Sequence, residues 1–286
     1  MHTRLFPDQI ISAKLNKPLL RAGLVMRAHL LERLQKGFDS RLTLVMAPAG
    51  YGKTTLVGTW LAQQSASVAW ISLDTGDNNP IRFLTYLAAA LLRVDASVGG
   101  TMPKMLRQDV QQPFEVMLAQ LIHQLEKIEI PIILVFDDYH LIKNPVVHEM
   151  MQFFIQNLPV SDSSISPRQK GCHPLIISRT SPPFPLSRWR LHNELTELRT
   201  NDLRFSLEEA KIFFQHFAGL QLSDEQVSTL YQQAEWWVAG LQLAALSMRN
   251  QDHEAVENFI HDFDGRNRFV AEYLVDEVIS QQSEEI

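Results

Sequence analysis

Residues 42–57 read LTLVMAPAGYGKTTLV: an apolar run, a turn holding Gly50 and Gly52, then Lys53, Thr54 and a helix-like pattern. This is the physical plan of a phosphate-binding loop. Glycine enters backbone regions closed to other residues and lets N–H groups converge on anionic oxygens. The N-terminus of the following helix adds its partial positive charge at the same spot. In such a loop Pro48, Ala49, Gly50, Tyr51, Gly52, Lys53, Thr54 and Thr55 would cradle a nucleoside triphosphate. Lys53 would reach the β/γ-phosphates, and the hydroxyl of Thr54 would complete a Mg²⁺ shell. The general pattern asks for glycine at position 47, where this chain has Ala47. Alanine is the smallest replacement, and Pro48 and Ala49 keep the turn compact, so the cradle is expected to survive. The alternative is a glycine-rich turn that binds no phosphate; the strand before it and the helix after it argue against that.

Outward from this loop, strand-like apolar runs occur at 42–47, 68–73, 131–136 and 174–178, with a weaker one at 194–198. Helix-period stretches lie between them. Leu84, Leu87, Ala88 and Leu91 fall at i, i+3, i+4 and i+7, and Phe114, Leu118, Leu121, Ile122 and Leu125 form one stripe over 114–125. Asn79-Pro80 and Asn144-Pro145 each offer a cap followed by proline at the first helical position. Strands alternating with helices predict an α/β fold with a parallel sheet covered on both faces. After about residue 200 strong strand signals cease. Ser206 with Glu209, and Ser223 with Gln226, read as capping boxes. A further helix is expected over 236–249, with Trp237, Leu241, Ala244, Ala245 and Met248 on one face. The α/β part is therefore followed by a small all-helical domain, the join lying near Thr200–Phe205. The polar stretch 161–172 reads as a surface loop, and 269–286 begins as an amphipathic helix.

The 286 residues suffice for one large domain and a smaller one, and a hydrophobic content of 45% supports a sizeable core. A net charge of −6 leaves no electrostatic footprint for nucleic acid. The single cysteine, Cys172, cannot form an intrachain disulfide, which suits a reducing compartment. The N-terminus lacks the apolar stretch of a signal peptide, and no run approaches the ~18 apolar residues of a membrane span. A cytoplasmic location is expected, with no membrane partner and no direct nucleic-acid binding by this segment.

The run IILVFDD at 132–138 puts two carboxylates at the end of a buried strand. Mg²⁺ wants hard oxygen ligands beyond those of the phosphates, so Asp137 is expected to serve as a direct ligand or as a partner of the ligands. Asp138 stands where many such ATPases carry a glutamate that polarises the attacking water. Aspartate is one methylene shorter, so any hydrolysis would be slow. The strand PLIIS is followed by Arg179, beyond the carboxyl end where ligands gather in open parallel sheets. There a guanidinium fork suits the γ-phosphate; a surface salt bridge is the alternative. The histidines fit no metal spacing, and His140 and His148 read as structural or surface residues. Trp236 and Trp237 are most simply core and surface residues of the helical part.

Taken in order, these motifs resemble the signal-transduction ATPases with numerous domains (STAND), and within them the ATPase part of MalT-like, LuxR-family large ATP-binding transcription regulators. The resemblance covers nearly the whole chain: AKLNKPLL and LVMRAHLLERL, MAPAGYGKTTL, WISLDTGDNNPIRFLTYL, LVFDDYHLIKNPVVHEMMQFF, IISRTSPPFPLSRWR, ELRTNDLRFSLEEA and WWVAGLQLAALSM. It implies an AAA/STAND-like P-loop NTPase fold in which the strand bearing Arg179 lies between the loop strand and the Asp137 strand. It implies that Val25 and Arg27 contact the nucleotide base or its phosphates. It places Asp74 and Asp77 in a family motif, where a loop cap is an equal alternative. The implied division is an arm over 1–40, a nucleotide domain over 41–200, a helical domain over 201–262 and the start of a winged helix over 263–286. Relatives continue into sensor and helix-turn-helix domains, through which an inducer would act.

The function this implies is an ATP/ADP–Mg²⁺ switch in a signal-responsive transcriptional regulator, with slow hydrolysis resetting it and self-association in the ATP state. Two other readings stand beside it. One is a metabolic P-loop enzyme such as a small-molecule kinase; the other is a non-hydrolysing, ADP-bound interaction fragment.

Overall fold

The computed structural model describes residues 10–20, 23–98, 113–159 and 171–263. The expected winged-helix start lies outside these, save for Phe263, as does most of the 161–172 stretch. The described residues fall into two compact units. One draws on Met1–Leu19, His29–Met46 and Thr54–Leu198; the other draws on Leu20–Ala28, Ala47–Lys53 and Arg199–Ile286.

The first unit is built on five parallel strands: β1 (Leu42–Met46), β2 (Ser67–Ser72), β3 (Pro131–Asp137), β4 (Gly171–Ser178) and β5 (Leu195–Leu198). Their order is β2-β3-β4-β1-β5, with every pairing parallel. The strand that precedes Arg179 thus lies between the loop strand and the Asp137 strand, as the resemblance implies. Continuous aliphatic runs suit a sheet buried on both faces, and β1, β3 and β4 are buried along almost their whole lengths. β4 starts at Gly171, earlier than its apolar run suggested. Cys172 is therefore a buried strand residue, not part of a loop. His173 beside it is satisfied in the core by Ser40 O at 3.1 Å and Thr43 Oγ1 at 3.0 Å.

The helices of this unit are α1 (Ala28–Gly37), α2 (Lys53–Leu61), α3 (Pro80–Val94), α4 (Phe114–Leu125), α5 (Pro145–Asn157) and the short α6 (Leu186–Leu191). Both Asn-Pro starts form as the sequence predicts. Asn79 Oδ1 accepts from the N–H groups of Ile81 and Arg82, and Asn144 Oδ1 from that of Val146. No helix among the described residues is long and apolar enough to cross a membrane.

The second unit holds α7 (Thr200–Leu203), α8 (Leu207–Phe213) running into a π turn (Phe214–Ala218), α9 (Asp224–Gln233), α10 (Val238–Met248) and α11 (His253–Asp262). The Ser206/Glu209 and Ser223/Gln226 capping boxes are both closed. The helix expected from 236 begins two residues later, because Glu235 and Trp236 take left-handed φ values of 48° and 63°. Leu241, Ala244, Ala245 and Met248 bury one face of α10 against Phe214, Leu230 and Ile260.

His148 of α5 sits in an aromatic cluster with Tyr139, Phe184 and Trp189, its Nδ1 2.9 Å from the Tyr139 hydroxyl. Burial, aided by the Lys143 charge, lowers its pKa below the ordinary 6.5, although a backbone hydrogen bond at Ile142 works the other way. The unfolded chain therefore takes up this proton first, and stability falls as pH drops below about 6.5 toward the native value. Urea midpoints of wild type should fall between pH 7.5 and 5.5, and His148→Gln should fall less over the same interval.

Candidate functional site

Parallel strands end together, so the register decides which residues share the carboxyl edge of the sheet. Met46, the last residue of β1, is level with Ser178, the last of β4. Asp137 closes β3, and Phe136 before it is level with Ile176. Arg179 follows Ser178 directly, half-buried. Thr54, in the first turn of α2, reaches this edge: its hydroxyl lies 3.2 Å from each carboxylate oxygen of Asp137, across 83 residues of sequence. Asp137 is buried and also accepts from the N–H of Asp138 at 3.0 Å. Asp138 itself adopts a left-handed φ of 56° and keeps its side chain half exposed, with His140 Nδ1 at 3.9 Å. A hydroxyl facing a buried carboxylate is a pair of hard oxygen donors, which fits Mg²⁺ better than softer metals.

The loop itself belongs to the second unit. Gly50 and Gly52 have φ of 79° and 72°, a region that L side chains rarely enter, whereas Ala47 does not. The alanine at the first loop position thus occupies ordinary backbone, and its methyl is buried. Three successive carbonyls of the loop each accept a hydrogen bond. Pro48 O takes Lys53 Nζ at 2.8 Å, Ala49 O takes the Trp237 indole N–H at 3.0 Å, and Gly50 O takes the N–H of Ala239 at 3.0 Å. Lys53 is buried.

Arg27 is buried in the second unit, where one guanidinium engages several acceptors. Its Nε and Nη2 bond the two carboxylate oxygens of Glu209 at 3.0 and 3.1 Å. Its remaining contacts are the carbonyls of Leu203 at 2.9 Å, Asp202 at 3.3 Å and Arg204 at 2.5 Å. The ring of Phe205 lies 5.2 Å away. Val25 packs against the apolar core of the same unit. These contacts account for the side chain of Arg27 as a cross-tie between the LVMR segment and the turn around α7.

Asp74 and Asp77 cap a 3-10 turn, Thr75–Asn78, with Asp74 accepting from Gly76 and its own N–H donating to Asp77. They also form an ion network in the first unit, in which Lys14 and Asp77 are buried while Asp74 and Arg82 are partly exposed. Lys14 binds both carboxylates, Arg82 binds both from the other side, and Lys14 Nζ lies 4.3 Å from the centre of the Tyr86 ring. Burial works to raise the Asp74 pKa. The hydrogen bond and charge of Lys14, with the charge of Arg82, outweigh it and hold the carboxyl below its ordinary value. Sequence reasoning also missed Trp237 and Ala239 as neighbours of the loop, since a tryptophan in an apolar helical pattern reads as core.

A model of the AAA domain matches residues 35–167. The HTH-type transcriptional regulator MalT of Yersinia enterocolitica is 37% identical over 276 residues, and that of Serratia proteamaculans 36% over 271. These matches cover 95% and 94% of this chain, but the chain spans only 29% of the length of either relative. Among solved structures, a STAND protein with a tetratricopeptide repeat sensor from Pyrococcus horikoshii aligns with a TM-score of 0.54 at 13% identity. The match covers 86% of this chain and 33% of that one. A Walker-type ATPase of Pyrococcus abyssi aligns with a TM-score of 0.53 at 12% identity, covering 94% and 79%. At these identities the structural likeness speaks for the fold alone.

Arg27→Met removes the donor that serves the Glu209 carboxylate and three backbone carbonyls. Breaking a buried pair from one side costs about 3–5 kcal/mol, so thermal unfolding should show a loss of that order. Arg27→Lys should recover only part of it, because a point ammonium cannot reproduce the fork.

Proposed function

We propose that this chain, which contains an AAA domain over residues 35–167 and is homologous to part of the MalT regulators, is the ATP/ADP–Mg²⁺-binding switch module of a signal-responsive transcriptional regulator. The observation that carries this reading is the Thr54–Asp137 pair, a loop hydroxyl facing a strand-end carboxylate over a long sequence separation. In this reading residues 48–55 hold the phosphates, with Lys53 on the β/γ oxygens. Thr54 and Asp137 hold the metal ion, and bound Mg²⁺ neutralises charge across the phosphate oxygens. Asp138 orients the attacking water, and Arg179 contacts the γ-phosphate. Val25 and Arg27 contact the base or its phosphates, and the Arg27–Glu209 pair fixes that segment.

The γ-phosphate then supplies the interaction that distinguishes ATP from ADP, which any population shift requires. Hydrolysis acts as a slow timer, and self-association of the regulator belongs to the ATP state. The same reading assigns 1–40 to an arm, 41–200 to nucleotide binding, 201–262 to the helical part and 263–286 to the start of a winged helix.

The test is calorimetric titration of ATP–Mg²⁺ and ADP–Mg²⁺, after unfolding the purified protein to identify any nucleotide carried with it. Lys53→Ala should weaken ATP by about 10- to 100-fold, the worth of one charge-assisted hydrogen bond. Unchanged affinity would remove the phosphate-loop assignment. Arg179→Ala should weaken ATP more than ADP; equal losses would remove its γ-phosphate role. Asp138→Ala should still bind ATP but release no phosphate.

A further inference from the structure

We propose that Trp237 and the backbone N–H of Ala239 are positioning groups for phosphate binding. They would hold two peptide planes of the loop so that the amides of Gly50 and Tyr51 are presented to the anion. This rests on the reading of residues 48–55 as a nucleotide phosphate site.

The geometry runs through the peptide bond. In a trans peptide the C=O of one residue and the N–H of the next lie in one plane and point in opposite directions. Ala49 O is held by the Trp237 indole at 3.0 Å, which fixes the plane carrying the Gly50 N–H. Gly50 O is held by Ala239 N–H at 3.0 Å, which fixes the plane carrying the Tyr51 N–H. Both amides therefore point away from α10. Contact between loop and helix is close: a Cβ on Gly50 would lie 2.5 Å from Trp237 Nε1 and 2.6 Å from Ala239 Cβ.

Helix α10 is arranged for this contact. Its first-turn N–H groups have no intrahelical partner, and Trp237 before it makes no side-chain cap. The loop carbonyl of Gly50 serves one of those donors instead. Trp237 is aimed by a turn in which Glu235 and Trp236 both take left-handed φ. Such backbone persists only where its surroundings over-determine it. Here Trp236 N–H donates to Tyr231 O at 3.3 Å, Trp237 N–H donates to Ala234 O at 2.9 Å, and Arg204 lies 4.5 Å over the Trp236 ring.

Trp237→Phe keeps a ring against Gly50 and deletes the N–H. By calorimetry the variant should bind ADP–Mg²⁺ and ATP–Mg²⁺ about 2- to 10-fold more weakly than wild type, the equivalent of one ordinary hydrogen bond. A purely structural role would not predict the second readout, which uses wild type alone. In protein carrying ¹⁵N-labelled tryptophan, the Trp237 indole resonance is identified by its nuclear Overhauser contact to Gly50. It should move on adding ADP–Mg²⁺ and stay in place with adenosine, which has no phosphate. Wild-type affinity in Trp237→Phe, or a Trp237 resonance unmoved at saturating ADP–Mg²⁺, would overturn the positioning role while leaving the nucleotide site intact. Wild type that binds neither nucleotide would overturn both, and the failure would lie with the site assignment.

Discussion

A loop that offers its amides to an anion must also dispose of the carbonyls on the same peptide planes. In the proposed phosphate-binding reading, that constraint falls on Pro48, Ala49 and Gly50, whose carbonyls each accept a hydrogen bond. Lys53 Nζ serves Pro48 O, while the donors at Ala49 O and Gly50 O come from far along the chain. Trp237 and Ala239 supply them. The start of α10 and the left-handed turn before it are arranged around that supply. Crowding at Gly50 follows from the same contact. The net worth of each hydrogen bond is only about 1 kcal/mol.

Charge is handled within each unit by a similar economy of buried partners. In the first, Asp77 is fully buried and lies between Lys14 and Arg82, which ties the segment before α1 to the start of α3. In the second, Arg27 spans Glu209 and three carbonyls around α7. Glu209 also closes the Ser206 capping box. A single carboxylate therefore serves both a helix start and a distant arginine. Such buried ions add little net stability over an apolar replacement, yet removing one partner is costly.

What the sequence could disclose follows from the range of each interaction. The strand runs, the Asn-Pro starts and the two capping boxes depend on neighbours within a few residues, and they stand where local reasoning put them. The position of β4 between β1 and β3 came from resemblance, not from residue patterns, and the pairings bear it out. The contacts that escaped are long-range. Trp237 meets Ala49 across 188 residues, and Lys14 meets Asp77 across 63. No local signal marks Glu235 and Trp236 as left-handed, since neither is the glycine or asparagine such a conformation favours. Arg27 shows the same range effect: its burial beside Glu209, 182 residues away, had no local signal in the sequence.

Loop positions 47, 50 and 52 are physically unequal, although the general pattern asks for glycine only at 47 and 52. Gly52 has a left-handed φ, but a Cβ there would meet nothing within 4 Å, so only backbone strain excludes a side chain. Gly50 faces both penalties, because its φ is positive and the Trp237 ring occupies the space a Cβ would take. Position 47 has no positive φ, and its alanine is buried directly after β1. A sequence pattern that weighs its glycines at 47 and 52 alike would mark this loop as defective at the one of the two where the backbone does not need glycine.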